Sequence, residues 1–139
     1  MTRRRHRISS ERGQTAVEFA LVAPFIIVLL LAVIQFAVAF HDYVTLTDAA
    51  RAGARRAIVA RFGGGNFDEA KQAVLDSASN LDQNQLKQTG AIDVSDPAGM
   101  VSGSLITVTV KYPYKINIPL LGMTVSEGTL TAVAKERLE

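Results

Sequence analysis

The chain has no cysteine and only two histidines among its 139 residues, and aromatic residues make up 6% of it. Without cysteine there is no disulfide, no thiolate metal site and no thiol nucleophile. The histidines, His6 and His41, are too isolated to form a metal site or a Ser/His pair. The chain also lacks dispersed positive charge. Residues 1 to 13 hold five arginines against Glu11, a net +4, which leaves ten basic and twelve acidic residues, a net −2, for the rest. The basic excess is therefore confined to one end, and few aromatics accompany it. A nucleic-acid surface needs both spread over a folded face, so nucleic acid is excluded as a partner.

What the chain has in quantity is hydrocarbon, at 48% hydrophobic residues. That length and composition suit one small domain plus a membrane segment, not two globular domains. From Phe19 to Phe40 there are 22 residues, and Gln35 carries the only polar side chain among them. A helix of that length measures about 33 Å, enough to span a bilayer. Pro24 falls near its start, where neighbouring helices or water can re-satisfy the freed carbonyl. The arginines before the span hold that end in the cytoplasm and place the C-terminal portion outside it. The single-pass orientation that follows is N-terminus in, head out. A signal peptide cut after Ala37-Val38-Ala39 is a competing reading. The apolar run exceeds the roughly 7 to 15 residues of a signal core, however, and no helix breaker follows Ala39.

Glu18 sits at the lip of this span, where a carboxylate is costly. On insertion scales a charge at the centre of the bilayer costs about 2.5 to 3.5 kcal/mol, and less at the interface. In the uncut chain the neighbouring Arg12, Gln14 and Thr15 can keep Glu18 wet. A cut after Gly13 would instead create an amine at Gln14, four residues from Glu18 on the same helix. Near neutral pH much of that amine is positive. Opposite charges about 4 Å apart attract by roughly 4 kcal/mol at an effective dielectric of 20, comparable to the insertion cost. If the amine and the acid belong to neighbouring subunits, the pair sets the register between packed helices. A snorkelling interfacial glutamate with no special role is the alternative.

The run Arg12-Gly13-Gln14-Thr15-Ala16-Val17-Glu18-Phe19 resembles the processing site of type IV pilin-like precursors: basic leader, glycine, glutamate as fifth residue of the mature chain, then an aromatic and an apolar helix. The continuation through Ala23-Pro24 to Asp48-Ala49-Ala50-Arg51-Ala52-Gly53-Ala54-Arg55-Arg56-Ala57 resembles more narrowly the TadE-like minor pilins of the tight-adherence (Flp) pilus system. The tail is more loosely similar, in Val108-Thr109-Val110-Lys111-Tyr112-Pro113-Tyr114, Pro119-Leu120-Leu121-Gly122 and Leu130-Thr131-Ala132. The resemblance implies cleavage between Gly13 and Gln14 by a membrane-embedded prepilin peptidase and then a minor role in pilus assembly. It also implies contacts with other pilins through the N-terminal helix and with an inner-membrane assembly platform.

Beyond the span the helical pattern continues. Leu46, Ala50, Gly53, Ala57 and Ala60 recur at spacings of 4, 3, 4 and 3, a stripe of small apolar residues, with Arg51, Arg55 and Arg56 on other faces. Asp48 can pair with Arg51 at i+3. Gly63-Gly64-Gly65 is expected to end the helix. It is not a phosphate loop, since no Gly-Lys-Ser/Thr follows and no strand precedes. Asn66 and Glu69 read as a capping box for a second helix whose apolar face is Phe67, Ala70, Val74, Ala78 and Leu81. Asp82 to Gly90, rich in Gln and Asn, reads as a loop or a frayed helical end.

Strand signals fill the remainder. Between Leu105 and Tyr112 the residues alternate, Ile106, Val108, Val110 and Tyr112 against Thr107, Thr109 and Lys111, which predicts one buried face. Ala91 to Ser95 and Thr129 to Glu136 are expected to pair with it, Leu130, Ala132 and Ala134 offering a small-residue face to a helix. Ile116 to Ile118, between Pro113 and Pro119, is a weaker strand signal. Pro113 to Gly122 reads as a loop holding Tyr114, Ile116, Ile118, Leu120 and Leu121. It either folds over the core or forms a subunit contact. Asp93 and Asp96 suit a turn beside Pro97 and Gly99.

The expected protein is α+β. It comprises a basic cytoplasmic leader (1–13), a long helix (14–61) that crosses the membrane at about 19–40, and a small extracytoplasmic head (62–139) with a second helix and an antiparallel sheet, a pilin-like lollipop. The head is expected to depend on the long helix for its core. The residues singled out are Gly13 and Gln14 for processing, Glu18 for helix assembly, and Phe19, Pro24, Gln35 and Phe40 for the span. The protein is expected to be a structural minor pilin or pseudopilin, not an enzyme, with no cofactor and with membrane lipid among its partners. An uncleaved single-pass adaptor is the alternative.

Overall fold

A computed structural model of the chain describes residues 7–60, 67–96, 99, 101–118 and 123–138. One helix, α1 (Arg7–Ala60), supplies 54 of them and is about 80 Å long. It already includes Arg7 to Gly13 of the expected leader. No glycine or proline stands between Arg7 and Arg12, so the basic segment has no helix breaker and runs on into the span. Pro24 lies inside α1, where it removes the N–H that would reach the Ala20 carbonyl. The triple glycine and Asn66 lie outside the described residues.

The second helix, α2 (Asp68–Ser77), folds back on α1, and the third, α3 (Gln83–Leu86), is a single turn. Phe67 occupies the N-cap of α2 and no side chain caps that end. The expected capping box therefore does not form through Glu69. Its carboxylate is drawn instead to Arg56 of α1, 2.8 Å away. Both partners are half exposed, so the pair orients α2 more than it stabilises it. Asp68 and Glu69 still place negative charge at the positive end of the α2 dipole. At the other end the Gln83 amide donates to the carbonyls of Leu75 and Ala78, at 3.2 and 2.9 Å. The Gln-rich stretch expected as a loop thus contains a helical turn, started by Asp82, which accepts from the Asn84 N–H at 2.9 Å.

Three antiparallel strands form one sheet in the order β1 (Ile92–Ser95), β2 (Leu105–Ile118), β3 (Met123–Arg137). Val110 of β2 stands between Ile92 of β1 and Ala132 of β3. The alternation in β2 has the anticipated result: Ile106, Val108 and Val110 are buried and Tyr112 half-buried, while Thr107 and Thr109 face outward. The strand does not stop at Pro113: residues 113 to 118 of the expected Pro113–Gly122 loop belong to β2, one arm of a long hairpin with β3, and residues 119 to 122 lie outside the described residues. The reason lies in which edge the proline meets. The Lys111 N–H donates to Ala91 at 2.7 Å on the β1 side. Two residues on, the same edge has passed the end of β1, so Pro113 forfeits no ladder bond. A register shift between Ile116 and Asn117 interrupts the hairpin near its far end.

The sheet and α2 close on the C-terminal part of α1, and the core sits between them. Leu46, Ala49, Ala50, Ala54 and Ala57 of α1 meet Ala70, Val74 and Ala78 of α2 and Ile106, Val108, Val110, Ala132 and Ala134 of the sheet. Every anticipated member of the small-residue stripe is buried. The small side chains let three elements approach one helix, and no buried polar or charged residue interrupts the cluster. Leu46 is the largest of the α1 contributions. Leu46→Ala should lower the unfolding free energy of the head by about 2–5 kcal/mol. Urea-dependent proteolysis of the full chain in vesicles measures it, with Val59→Ala, at an exposed position, staying within about 0.5 kcal/mol of wild type.

Candidate functional site at the N-terminal end of the helix and the exposed span

Below Val44 no described residue of α1 is fully buried. Its apolar side chains are open, Phe19 at 68% and Phe25 at 78%. An uncovered hydrocarbon cylinder of this length calls for lipid or other helices around it. The helix is long and apolar enough to cross a membrane, which suits a single-pass membrane protein. Phe36 and Phe40 stack along one side, ring centroids 6.4 Å apart.

At the head of this segment Gly13 is helical, and a methyl group built on it would touch nothing within 4 Å. Its lack of a side chain is therefore not explained by packing within the chain. Gln14 and Glu18 are brought together by one helical turn, the Gln14 Nε2 donating to Glu18 Oε1 at 3.1 Å. Gln14 is one of the polar neighbours expected to keep Glu18 wet in the uncut chain, and the i,i+4 spacing accounts for the contact. Pro24 is exposed. Gln35, the lone polar side chain of the span, is half-buried.

The burial of Gln35 marks a feature the sequence did not suggest. A cleft of ≈ 310 Å³ opens between α1 (Gln35, Val38, Ala39, Asp42), the α3 turn (Asp82, Gln85) and β2 from Tyr112 to Lys115. The Tyr112 hydroxyl accepts from the Asp82 N–H at 3.3 Å. Asn80 fastens the turn after α2 to α1, its Nδ2 3.2 Å from His41 Nε2 and 3.3 Å from Thr45 Oγ1. His41 thus serves the junction of helix and head. Of the hairpin residues singled out, Tyr114 and Ile116 are half-buried. Ile118 ends β2, and Leu120 and Leu121 lie outside the described residues.

Asp48 and Arg51 form their anticipated pair at 3.3 Å, fully on the surface. Among the described residues no three His, Asp or Glu side chains come together as a metal site.

No curated protein and no solved structure matches the chain. A family model described as TadE-like protein matches residues 13–55. That match begins at the glycine before Gln14 and runs through the span into the buried stripe, in agreement with the resemblance drawn from Arg12–Phe19 and Asp48–Ala57. Over the segment that holds Gly13, Glu18, the apolar span and the start of the packed stripe, the chain is similar to TadE-like proteins.

Proposed function

We propose that this protein is a minor pilin or pseudopilin of a tight-adherence pilus, a structural subunit without catalytic activity. A prepilin peptidase cuts it after Gly13 on the cytoplasmic side of the inner membrane. The mature helix packs among other pilins and against the assembly platform, and the head stands outside the cytoplasm. The observation that supports this most directly is the largely exposed α1 surface from Phe19 to Phe40, apolar except for Gln35, with Glu18 at its lip. An anchor needs only length. A helix that trades lipid for neighbouring helices also needs a polar feature to fix its height, and Glu18 supplies one when the Gln14 amine of an adjacent subunit faces it.

A second reading has its own observation. In the uncut chain Glu18 already has a partner, the Gln14 side chain at 3.1 Å. An uncleaved single-pass adaptor of the pilus or secretion machinery needs nothing more. Intact mass of the protein taken from its native membrane separates the two. The expected result is a chain beginning at Gln14, and recovery of the chain with residues 1–13 still attached would leave the adaptor.

A further inference from the structure

The far end of the β2–β3 hairpin does not point away from the membrane. Val108 lies beside Gly53 of α1, 3.5 Å from where a Cβ would stand, and the stretch from Tyr112 to Lys115 shares a cleft with Gln35, Val38, Ala39 and Asp42. From Gly53 to Ala39 the helix descends about 21 Å. From Val108 to Tyr114 the strand covers about 20 Å. The two elements therefore run side by side in opposite directions, and β2 travels towards the apolar span. Four more residues, to Ile118, add up to about 13 Å, which reaches the level of Leu30 and Leu31.

The burial of α1 records the same descent. Asp42, Ala39 and Gln35 on the hairpin side are half-shielded, and the shielding continues down that face at Leu31 and Val28. Leu29, Leu30, Val33 and Ile34 beside them are open, at 56–63%. The chemistry of the hairpin changes at the corresponding height. Lys111, Tyr112, Tyr114 and Lys115 come first, level with Tyr43 of α1 and the end of the span. These are all three tyrosines of the chain. β2 then continues to Ile118, and the sequence from 116 to 123 reads Ile-Asn-Ile-Pro-Leu-Leu-Gly-Met, without a charge. Tyrosines and lysines above an uncharged apolar end are the arrangement of an element that stands in a bilayer interface.

We infer that the hairpin is a second membrane element, with Tyr112 to Ile118 of β2 entering the head-side leaflet along the Gln35–Leu31 face of α1. The occupant of the surface around it is lipid, because the surface is continuous with the exposed span. The open strand edges confine it to the shallow leaflet, where water still reaches backbone groups. This inference rests on the reading of α1 as a membrane span, and the test separates the two.

The chain has no cysteine, so single-cysteine variants of the full protein can be labelled with an environment-sensitive fluorophore and placed in phosphatidylcholine vesicles. Asn117→Cys and Ile118→Cys probe the last two positions of β2, Leu30→Cys the span and Asp93→Cys the outer strand. At least one hairpin label, like that at Leu30, should be quenched severalfold more by lipid-borne nitroxides than by iodide, with Asp93 showing the reverse. Iodide quenching of both hairpin labels to the extent seen at Asp93 overturns the inference. So does shielding of both from lipid and iodide alike, which means that protein covers the hairpin. Absence of lipid quenching at Leu30 refutes the span itself.

Discussion

Gly53→Val should unfold the head while leaving the span inserted. Gly53 is buried where α1 and α2 cross, and a Cβ placed on it would overlap Val74 Cγ2 and stand 3.3 Å from the Ala70 carbonyl oxygen. Val74 cannot swing aside, since it is fully buried among Ala70, Ala78 and the sheet. Two effects oppose each other. Replacing a mid-helix glycine with alanine favours the helix by about 1 kcal/mol. Overpacking a filled core costs about 1–3 kcal/mol and occasionally more. For alanine the overlap outweighs the propensity. For valine the two added methyl groups meet backbone as well as side chain, so the loss should reach or exceed the upper end of that range. Urea-dependent proteolysis of the full chain in vesicles should show Gly53→Ala destabilised and Gly53→Val without a protected head. An equal membrane-inserted fraction for both confirms that the span is untouched. A Gly53→Val head as resistant as wild type would refute the close crossing.

Glu18→Gln should impair assembly strongly with little effect on insertion or on the helix. The amide keeps an acceptor within reach of the Gln14 side chain, which now donates to Glu18 at 3.1 Å, so the local contact survives and only the charge is lost. Insertion should hold or improve, because a neutral side chain is cheaper in lipid. Assembly is another matter if a Gln14 amine from a neighbour is what holds each subunit at its height. Even after discounting for interfacial water, losing a charge pair of this type corresponds to about a tenfold to a hundredfold drop in assembled subunit, at 1.4 kcal/mol per factor of ten. Immunoblots of sheared pili against membranes measure it, and the intact mass of the variant shows whether processing still occurs. Normal fibres from a correctly processed Glu18→Gln chain would argue against the pairing.

How far the sequence carried depends on whether neighbouring residues or distant ones decide each feature. The span, the Leu46–Ala60 stripe and the alternation from Leu105 to Tyr112 follow from period and burial, and the structure has all three. Pro113 misled because its consequence depends on where β1 ends, and nothing near residue 113 encodes that. Glu69 matched a local capping pattern, yet Arg56 lay close enough across the helix pair to recruit it. The Asp82 turn was hidden by its Gln-rich composition, since its stabilising contacts reach back to the end of α2. At the N-terminal end of α1, the contact between Gln14 and Glu18 was legible in their i,i+4 spacing, whereas a cut after Gly13 is implied only by the resemblance to pilin precursors. The cleft beneath the hairpin was not legible, because it takes a strand folded some 70 residues later to make Gln35 a wall.

The lack of any hinge between span and head also has a mechanical meaning. One helix serves both, so each residue of α1 turns the head by about 100° and lifts it by about 1.5 Å relative to the membrane face below. The molecule behaves as a screw with its handle rigidly attached. Any neighbour that grips Glu18 at a particular height therefore also chooses the compass direction in which the sheet faces.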